Sequence, residues 1–370
     1  MNNNFWQNKN VLITGHTGFK GSWLTLWLLI LGAKVNGFSL KPNDNQRLYK
    51  DLFYKNSKNL NNLLGTLNHH EGDINNFNEL RNFVDDVKPE IVFHLAAEPL
   101  VLESYKDPLK TWNTNVIGTL NLLEALKSID KVCSAIFITT DKVYKNKEWL
   151  YGYRENDELG GRDPYSASKA AMEIAISSYR DSFCGNSKYQ NPNLLIATAR
   201  AGNVIGGGDW SKNRLVPDIV RSLSLKKSIV LRNSKSIRPW QHVLDPLSGY
   251  MCLAKKLYEC QFLKKENKEI LTNAFNFGPN ISSLKTVEEL VQKFLLCWEG
   301  EYEIDFVTSE YHEANILNLV SDKAIKYLDW TPKWDFEKTI KNTTNWYFEV
   351  HNGKEAFNKC LENILEYNDY

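Results

Sequence analysis

Charge imbalance is nearly absent from this chain: 45 Lys and Arg stand against 44 Asp and Glu, a net charge of +1 at pH 7. Without a field of one sign there is no electrostatic case for nucleic acid or an anionic membrane as partner. Cysteine is sparse. The six residues, at 133, 184, 252, 260, 297 and 360, include no C-x-x-C pair and lack the nearby histidines of a zinc site. No metal is expected, and the thiols read as buried groups of a reducing compartment. Long apolar runs are missing too. The most apolar stretch, Trp23 to Leu31, is far too short to cross a bilayer and reads as a helix buried against a sheet. The start, Met1 to Lys9, carries no secretory apolar core. A cytoplasmic protein is expected.

What is present is a large apolar complement. Hydrophobic residues make up 42% of the chain, with 17 Tyr, 17 Phe and 11 Trp, which excludes a disordered protein and allows a sizeable core. Val11-Leu12-Ile13 reads as a buried strand running into Thr14-Gly-His-Thr-Gly-Phe-Lys-Gly21, then an apolar helix ending near Gly32. Glycines at 15, 18 and 21 permit a tight turn, close approach to a pyrophosphate, and close helix–strand packing, with the helix amino terminus facing the phosphates. Strand, glycines and helix in that order make a dinucleotide site the expectation.

A second strand, Lys34 to Leu40, ends without the Asp or Glu that often holds an adenosine ribose. Lys41 suits a 2′-phosphate, so the residues alone leave NAD against NADP open. Asp73 and Ile74 follow a third strand and can frame an adenine; Asp73 can also cap a helix starting near Asn76. The fourth strand, Pro89 to Ala97, ends in small residues, including Ala96, that let a cofactor close; His94 within it reads as a hydrogen-bonded core histidine. A helix from about Pro108 to Leu126 carries Asn115.

The fifth strand, Ala135 to Ile138, breaks into Thr139-Thr140-Asp141-Lys142, and Tyr165-Ser-Ala-Ser-Lys169 follows on a helix reaching about Phe183. Polar groups at a strand end fall on the carboxyl edge of a sheet, where open α/β folds bind ligands. Tyr165 and Lys169, four apart, share a helix face, and the ammonium can lower the phenol pKa so that Tyr165 takes a proton near neutral pH. A sixth strand, Leu194 to Ala199, leads to Arg200 and on to Gly206-Gly-Gly-Asp209. The alternation predicts an α/β fold with a Rossmann-type doubly wound parallel sheet. The expected division gives the dinucleotide-binding domain residues 1–205 and about 241–278. A smaller, mainly helical lobe takes about 206–240 and 279–350, and 351–370 form a tail.

These residues together resemble the extended short-chain dehydrogenase/reductases, and among them the CDP-glucose 4,6-dehydratases. The matching runs are Thr14 to Trp23, Thr140-Asp-Lys-Val-Tyr144, Tyr151 to Asn156, Asp163 to Lys169, Arg200 to Trp210, Arg238 to Val243 and His312-Glu-Ala-Asn315. The likeness covers roughly residues 5 to 350. It implies NAD as the cofactor, with contacts at Gly15, Gly18, Phe19, Gly21, Asp73, Ile74, Ala96, Asn115, Tyr165 and Lys169. It implies a nucleotide-sugar substrate, a homodimer packed through the helices at 108–126 and 165–183, and deoxysugar supply for bacterial surface polysaccharide such as lipopolysaccharide O-antigen.

The implied catalytic set is Thr140, Asp141, Lys142, Tyr165 and Lys169. Tyr165 would take the proton of a glucose 4-hydroxyl held by Thr140, Lys142 would remove the C5 proton, and Asp141 would protonate the departing 6-hydroxyl. Burial beside Lys169 would lower the Lys142 pKa as a base requires. Asn203, Arg214 and Arg238 are candidates for the substrate phosphates, with a surface ion pair the competing reading of each arginine. A glutamate at 98 and a leucine at 102 depart from the glutamine and arginine of the pattern. The rival readings are another nucleotide-sugar 4,6-dehydratase or 4-epimerase of this fold, and a non-catalytic NAD(P)-sensing protein.

Overall fold

The structure, a computed structural model, describes residues 5–185, 188, 190–231, 233–262, 265–305 and 317–369. The run His312 to Asn315 lies outside the described residues.

Short apolar runs become the middle of a seven-stranded sheet. Its strands are β1 (Asn10–Thr14), β2 (Lys34–Ser39), β3 (Thr66–Glu71), β4 (Ile91–His94), β5 (Cys133–Ile138), β6 (Leu194–Ala201) and β7 (Ala274–Phe277). They lie in the order β3-β2-β1-β4-β5-β6-β7 with every pairing parallel. β4, β5 and β6 are buried at every residue, as strands covered on both faces must be. Side chains of successive residues part to opposite faces: Val11 and Ile13 enter one core cluster and Leu12 the other. Helices α2 (Phe77–Val87), α3 (Gly118–Leu126) and α4 (Pro164–Phe183) cover Leu12's face; α1 (Phe19–Ile30) covers the other. Strand order reverses between β1 and β4, so the loops leaving them diverge and open a crevice at their carboxyl ends.

Beyond β6 the chain builds α5 (Leu215–Ser224), then α6 (Leu244–Glu259), which joins α1 under the sheet; its Ala254 carbonyl accepts from Ser134 Oγ of β5 at 3.1 Å. The longer segments that follow include α7 (Val287–Leu295), α8 (Asp322–Leu328), α9 (Phe336–His351) and α10 (Ala356–Asp369). Three short strand pairs join them: Gln241–His242 with Val204–Ile205, Leu284–Thr286 with Ile237–Pro239, and Tyr302–Ile304 with Ile229–Leu231. The late segments are therefore less purely helical than their sequence suggests.

Three local expectations change. The helix from Pro108 is interrupted by a π-helical turn at Asn113–Ile117 before α3 begins; such turns shift the register of everything downstream. Asn76, rather than Asp73, caps α2, its side chain accepting from the Glu79 amide. Asp73 instead receives the Asn75 amide at 2.9 Å. The segment after His351 is no loose tail: Phe357, Cys360, Ile364 and Tyr367 of α10 are buried in the main core.

Candidate active site

The crevice is a single cleft of about 3080 Å³ lined by the loops after β1 and β4, the end of β5, α4 and the segments after β6. That exceeds the ~300–1,000 Å³ of a usual small-molecule pocket and leaves room for two large ligands side by side. At one end is the glycine turn. Gly15 has φ +73°, and a Cβ there would meet the Ala96 amide nitrogen at 2.6 Å; a Cβ on Gly21 would meet the Gly15 carbonyl at 2.2 Å. Only bare backbone lets β1, β4 and α1 approach this closely. α1 begins at Gly18 with no side-chain cap and no acid in its first turn. Its amide donors and positive dipole end are thus left to an anion in the cleft. Phe19, Asp73, Ile74 and Ala96 line the same end. Thr17 Oγ1 and Ser39 Oγ share a hydrogen bond of 2.8 Å that ties this turn to the end of β2.

Asn115 is placed differently. It is buried behind the wall, accepting from the Glu98 amide (2.8 Å) and donating to Ser168 Oγ (2.9 Å) and the Glu98 carbonyl (3.2 Å). The π-helical turn aims it there, and its work is to pin the 96–102 loop to α4. Glu98 itself lines the cleft, and its Oε1 lies 2.6 Å from Lys110 Nζ. His94 is a core residue as expected, hydrogen-bonded through Nδ1 to Thr14 Oγ1 (2.7 Å) and through Nε2 to Thr119 Oγ1 (2.9 Å). Burial takes its pKa down to about 3.

In the middle of the cleft the end of β5 meets α4. Thr140 caps a short 3-10 turn, donating to Asp141 Oδ1 (2.9 Å) and accepting the Lys142 amide (3.3 Å). Asp163 caps α4 in a capping box with Ser166, which sets Tyr165 and Lys169 on the face toward that turn. Lys169 Nζ donates to the Ile138 carbonyl at 3.2 Å, binding helix to strand. Thr140, Asp141, Lys142, Tyr165 and Lys169 all line one cleft.

Electrostatics there are dominated by burial. It takes the Tyr165 phenol up to about 12, opposed by a hydrogen bond with Thr140 and the charge of Arg214. Lys169 falls to about 7, through burial first and then the charge of Lys20, with Glu173 pulling the other way. The expected lowering of the phenol by Lys169 is therefore not the leading effect; Lys169 loses much of its own charge near neutrality. Asp141 is raised above the usual carboxylate range by burial, against the pull of Lys142, Thr140, Lys20 and Arg238. A buried carboxyl whose neutral form is favoured is suited to donate a proton. Lys142 is half-buried rather than enclosed.

Asn203, Arg214 and Arg238 line the same cleft, and the charges of Arg214 and Arg238 reach Tyr165 and Asp141. Arg214 Nη1 bonds Asp209 Oδ2 at 2.9 Å, so the ion pair and the cleft position hold together. Lys20 is a cleft residue that the motif analysis passed over. It stands between Phe19 and Gly21 inside the glycine turn, and burial takes it down to about 8, assisted by Arg214. Its signal was a charge where the flanking pattern is apolar. Glu173 was missed as well, although it continues the helical spacing of Tyr165 and Lys169 by one more turn.

A parallel sheet with this order, a glycine turn at its switch point, and a tyrosine–lysine helix facing an acid and a base define a dinucleotide-dependent enzyme fold with a second ligand beside the cofactor site. The profile of the GDP-mannose 4,6 dehydratase family matches residues 12–343, and the chain belongs to that family. It is 44% identical over 366 residues to the CDP-glucose 4,6-dehydratase of Salmonella typhimurium, covering 98% of this chain and 97% of that protein. It is 26% identical to the CDP-paratose 2-epimerase of Salmonella typhi, covering 91% and 98%. Among solved structures it superposes on the dTDP-glucose 4,6-dehydratase of Bacillus anthracis in complex with NAD. The TM-score there is 0.71 at 21% identity, covering 94% of this chain and 99% of that one. The UDP-glucuronic acid 4-epimerase of Bacillus cereus gives 0.74 at 20%, covering 92% and 99%. No described helix is long and apolar enough to cross a membrane.

Proposed function

We propose that this chain converts CDP-glucose to CDP-4-keto-6-deoxy-glucose, with NAD as its recycled cofactor. One observation carries the reading: the Thr140-Asp141-Lys142 turn and the Tyr165–Lys169 helix face one another in a single cleft. The 44% relative supplies the nucleotide, cytidine. The uncapped amino end of α1 and the Cβ-free turn at Gly15 and Gly21 fit a pyrophosphate, with Phe19, Asp73, Ile74 and Ala96 along the remainder of the dinucleotide. NAD supplies a hydride acceptor at C4 of the sugar and a hydride donor at C6.

The chain's own groups move the protons. Tyr165 takes the proton of the 4-hydroxyl, with Thr140 beside it. A phenolate developing on Tyr165 favours the charged form of Lys169, one turn along the same helix face. The resulting 4-ketone acidifies C5–H, and Lys142 removes that proton. The C5–H electrons form the C5–C6 double bond, the C6–O bond breaks, and Asp141 protonates the departing hydroxyl, releasing one water. A 4-epimerase would have no use for a buried acid at Asp141 whose neutral form burial favours. Asn203, Arg214 and Arg238 would bind the nucleotide phosphates, Arg214 keeping Asp209 as its second partner.

The division of labour follows: residues 1–205 with about 241–278 hold the cofactor, and about 206–240 with 279–350 close over the sugar nucleotide. Leu109, Trp112, Ile117 and Ile174 are exposed apolar residues on the helical stretches at 108–126 and on α4. This supports a homodimer packed through those helices. The product suits deoxysugar supply for lipopolysaccharide O-antigen in the cytoplasm. The test is incubation of the purified protein with CDP-, dTDP-, UDP- and GDP-glucose separately, each followed by mass spectrometry. Loss of one water from CDP-glucose is expected; loss from none of the four defeats the dehydratase reading.

A further inference from the structure

A buried ion pair lies directly behind the proton-transfer groups. Glu173 and Arg200 are each only 4% exposed at the side chain, with Arg200 Nε 2.8 Å from Glu173 Oε1 and Nη2 2.9 Å from Oε2. Two hydroxyls complete the carboxylate: Thr139 Oγ1 donates to Oε1 at 2.6 Å and Thr198 Oγ1 to Oε2 at 2.8 Å. Four donors hold Glu173 below the usual carboxylate range despite its burial. The other prong of Arg200 donates to the Tyr144 hydroxyl (2.8 Å) and the Glu155 carbonyl (2.9 Å), and Tyr144 donates on to Asn276 of β7 (2.7 Å).

Such a pair is poor economy for stability alone, since removing two charges from water offsets most of their attraction. Its placement suggests a different purpose. Tyr165, Lys169 and Glu173 descend one face of α4 at four-residue steps, and Thr139 is the residue before Thr140. Two ties therefore join α4 to the end of β5: Lys169 to the Ile138 carbonyl, and Thr139 to Glu173. Ile138 and Thr139 are adjacent, so a slip of the helix along the strand breaks both.

We propose that Glu173 and Arg200 are positioning residues that hold the helix carrying Tyr165 and Lys169 in register with the turn carrying Thr140, Asp141 and Lys142. Glu173 also stands one turn along α4 from Lys169, and its carboxylate favours the charged form of Lys169 against burial and the charge of Lys20. The proposal rests on the dehydratase reading for its kinetic consequence, and on the two ties between α4 and β5 for its geometry.

Three variants separate positioning from bulk stability. Thr139→Val removes one tie and leaves the ion pair whole. It should keep the melting temperature near that of the parent while kcat falls at least about tenfold, with KM for CDP-glucose little changed, because small misplacements of reacting groups are felt in kcat. Glu173→Gln keeps the side-chain shape and deletes the charge. The pH midpoint for acylation of Lys169, followed by mass spectrometry of the labelled peptide, should move downward. Glu90→Gln is the control. It loosens a comparable cluster at the amino ends of the strands, where Glu90 accepts from Lys9 (2.7 Å), and should lower the melting temperature without lowering kcat. Parent-like kcat in Thr139→Val together with an unmoved Lys169 midpoint in Glu173→Gln overturns the proposal. Should the parent turn over no CDP-glucose, the dehydratase reading fails, while the Lys169 midpoint still tests whether the Glu173 carboxylate acts on Lys169.

Discussion

Asp141 and Asp245 are both buried aspartates whose carboxyls burial raises above the ordinary range. Their surroundings differ in kind. Asp141 stands in an open cleft, its raised value opposed by Lys142, Lys20 and Arg238. Asp245 is sealed at the start of α6, accepting from the Lys333 amide and the Tyr367 hydroxyl, each at 2.8 Å, and so fastens α10 to the body. A perturbed acid is a functional candidate only where a substrate can reach it. The clefted aspartate has a turn to aim it at a space a substrate can enter; the sealed one, though Lys333 pulls on it, faces only groups that hold the fold together.

The comparison is strained most by the groups that begin the reaction. Tyr165→Phe removes the phenol while keeping the ring's packing, so the fold should melt as the parent does. Loss of a positioned proton acceptor should lower kcat on CDP-glucose by about 10³-fold or more, near the upper part of the range for such groups. Deuterium at C5 would sharpen the assignment. With no oxidation at C4 the C5 proton stays inert, so product-free incubation in heavy water should leave the sugar unlabelled.

Asp141→Asn should act one step later. Water loss should fall by about 10²-fold, but oxidation at C4 and proton removal by Lys142 should continue. Incubation in heavy water should then place deuterium at C5 of recovered CDP-glucose faster than dehydrated product appears. Unlabelled substrate, with product equally slowed, would mean that Asp141 serves the first step. In the parent, burial keeps Asp141 protonated above the ordinary carboxylate range, so elimination should weaken as pH rises through its raised value.

Much of this was legible in the residues because the cofactor turn and the strand end are local. Glycines at 15, 18 and 21, and the run Thr139 to Lys142, announce their backbone needs within a few positions. The parallel sheet followed from alternation, since parallel strands require crossovers. What was illegible depends on distant pairing. Asn115 sits in a helical stretch that reads as continuous, but a π-helical turn rotates it away from the cleft toward Glu98 and Ser168. The Glu173–Arg200 pair joins residues 27 apart on different elements, and neither residue type is unusual where it stands. The tail's docking rests on Tyr367 meeting Asp245, a contact across 122 residues that periodicity cannot reveal.

Asp245→Asn is the gentlest test and the one that isolates the sealed half of the comparison. The folded carboxyl titrates at about 6, raised from 3.8 by burial. Its neutral form is thus the one the fold prefers. That contribution is complete below about pH 3.8, drains away as pH climbs toward 6, and leaves the ionised group costing on the order of 3 kcal/mol above it. Asparagine keeps an acceptor for Lys333 and Tyr367 but cannot ionise. The parent's melting temperature should therefore fall relative to the variant's between about pH 4 and 6, while kcat at neutral pH stays within about twofold of the parent. Parallel melting curves across that window would show that α10 holds Asp245 charged through its two donors. In that case burial would govern only the aspartate in the cleft.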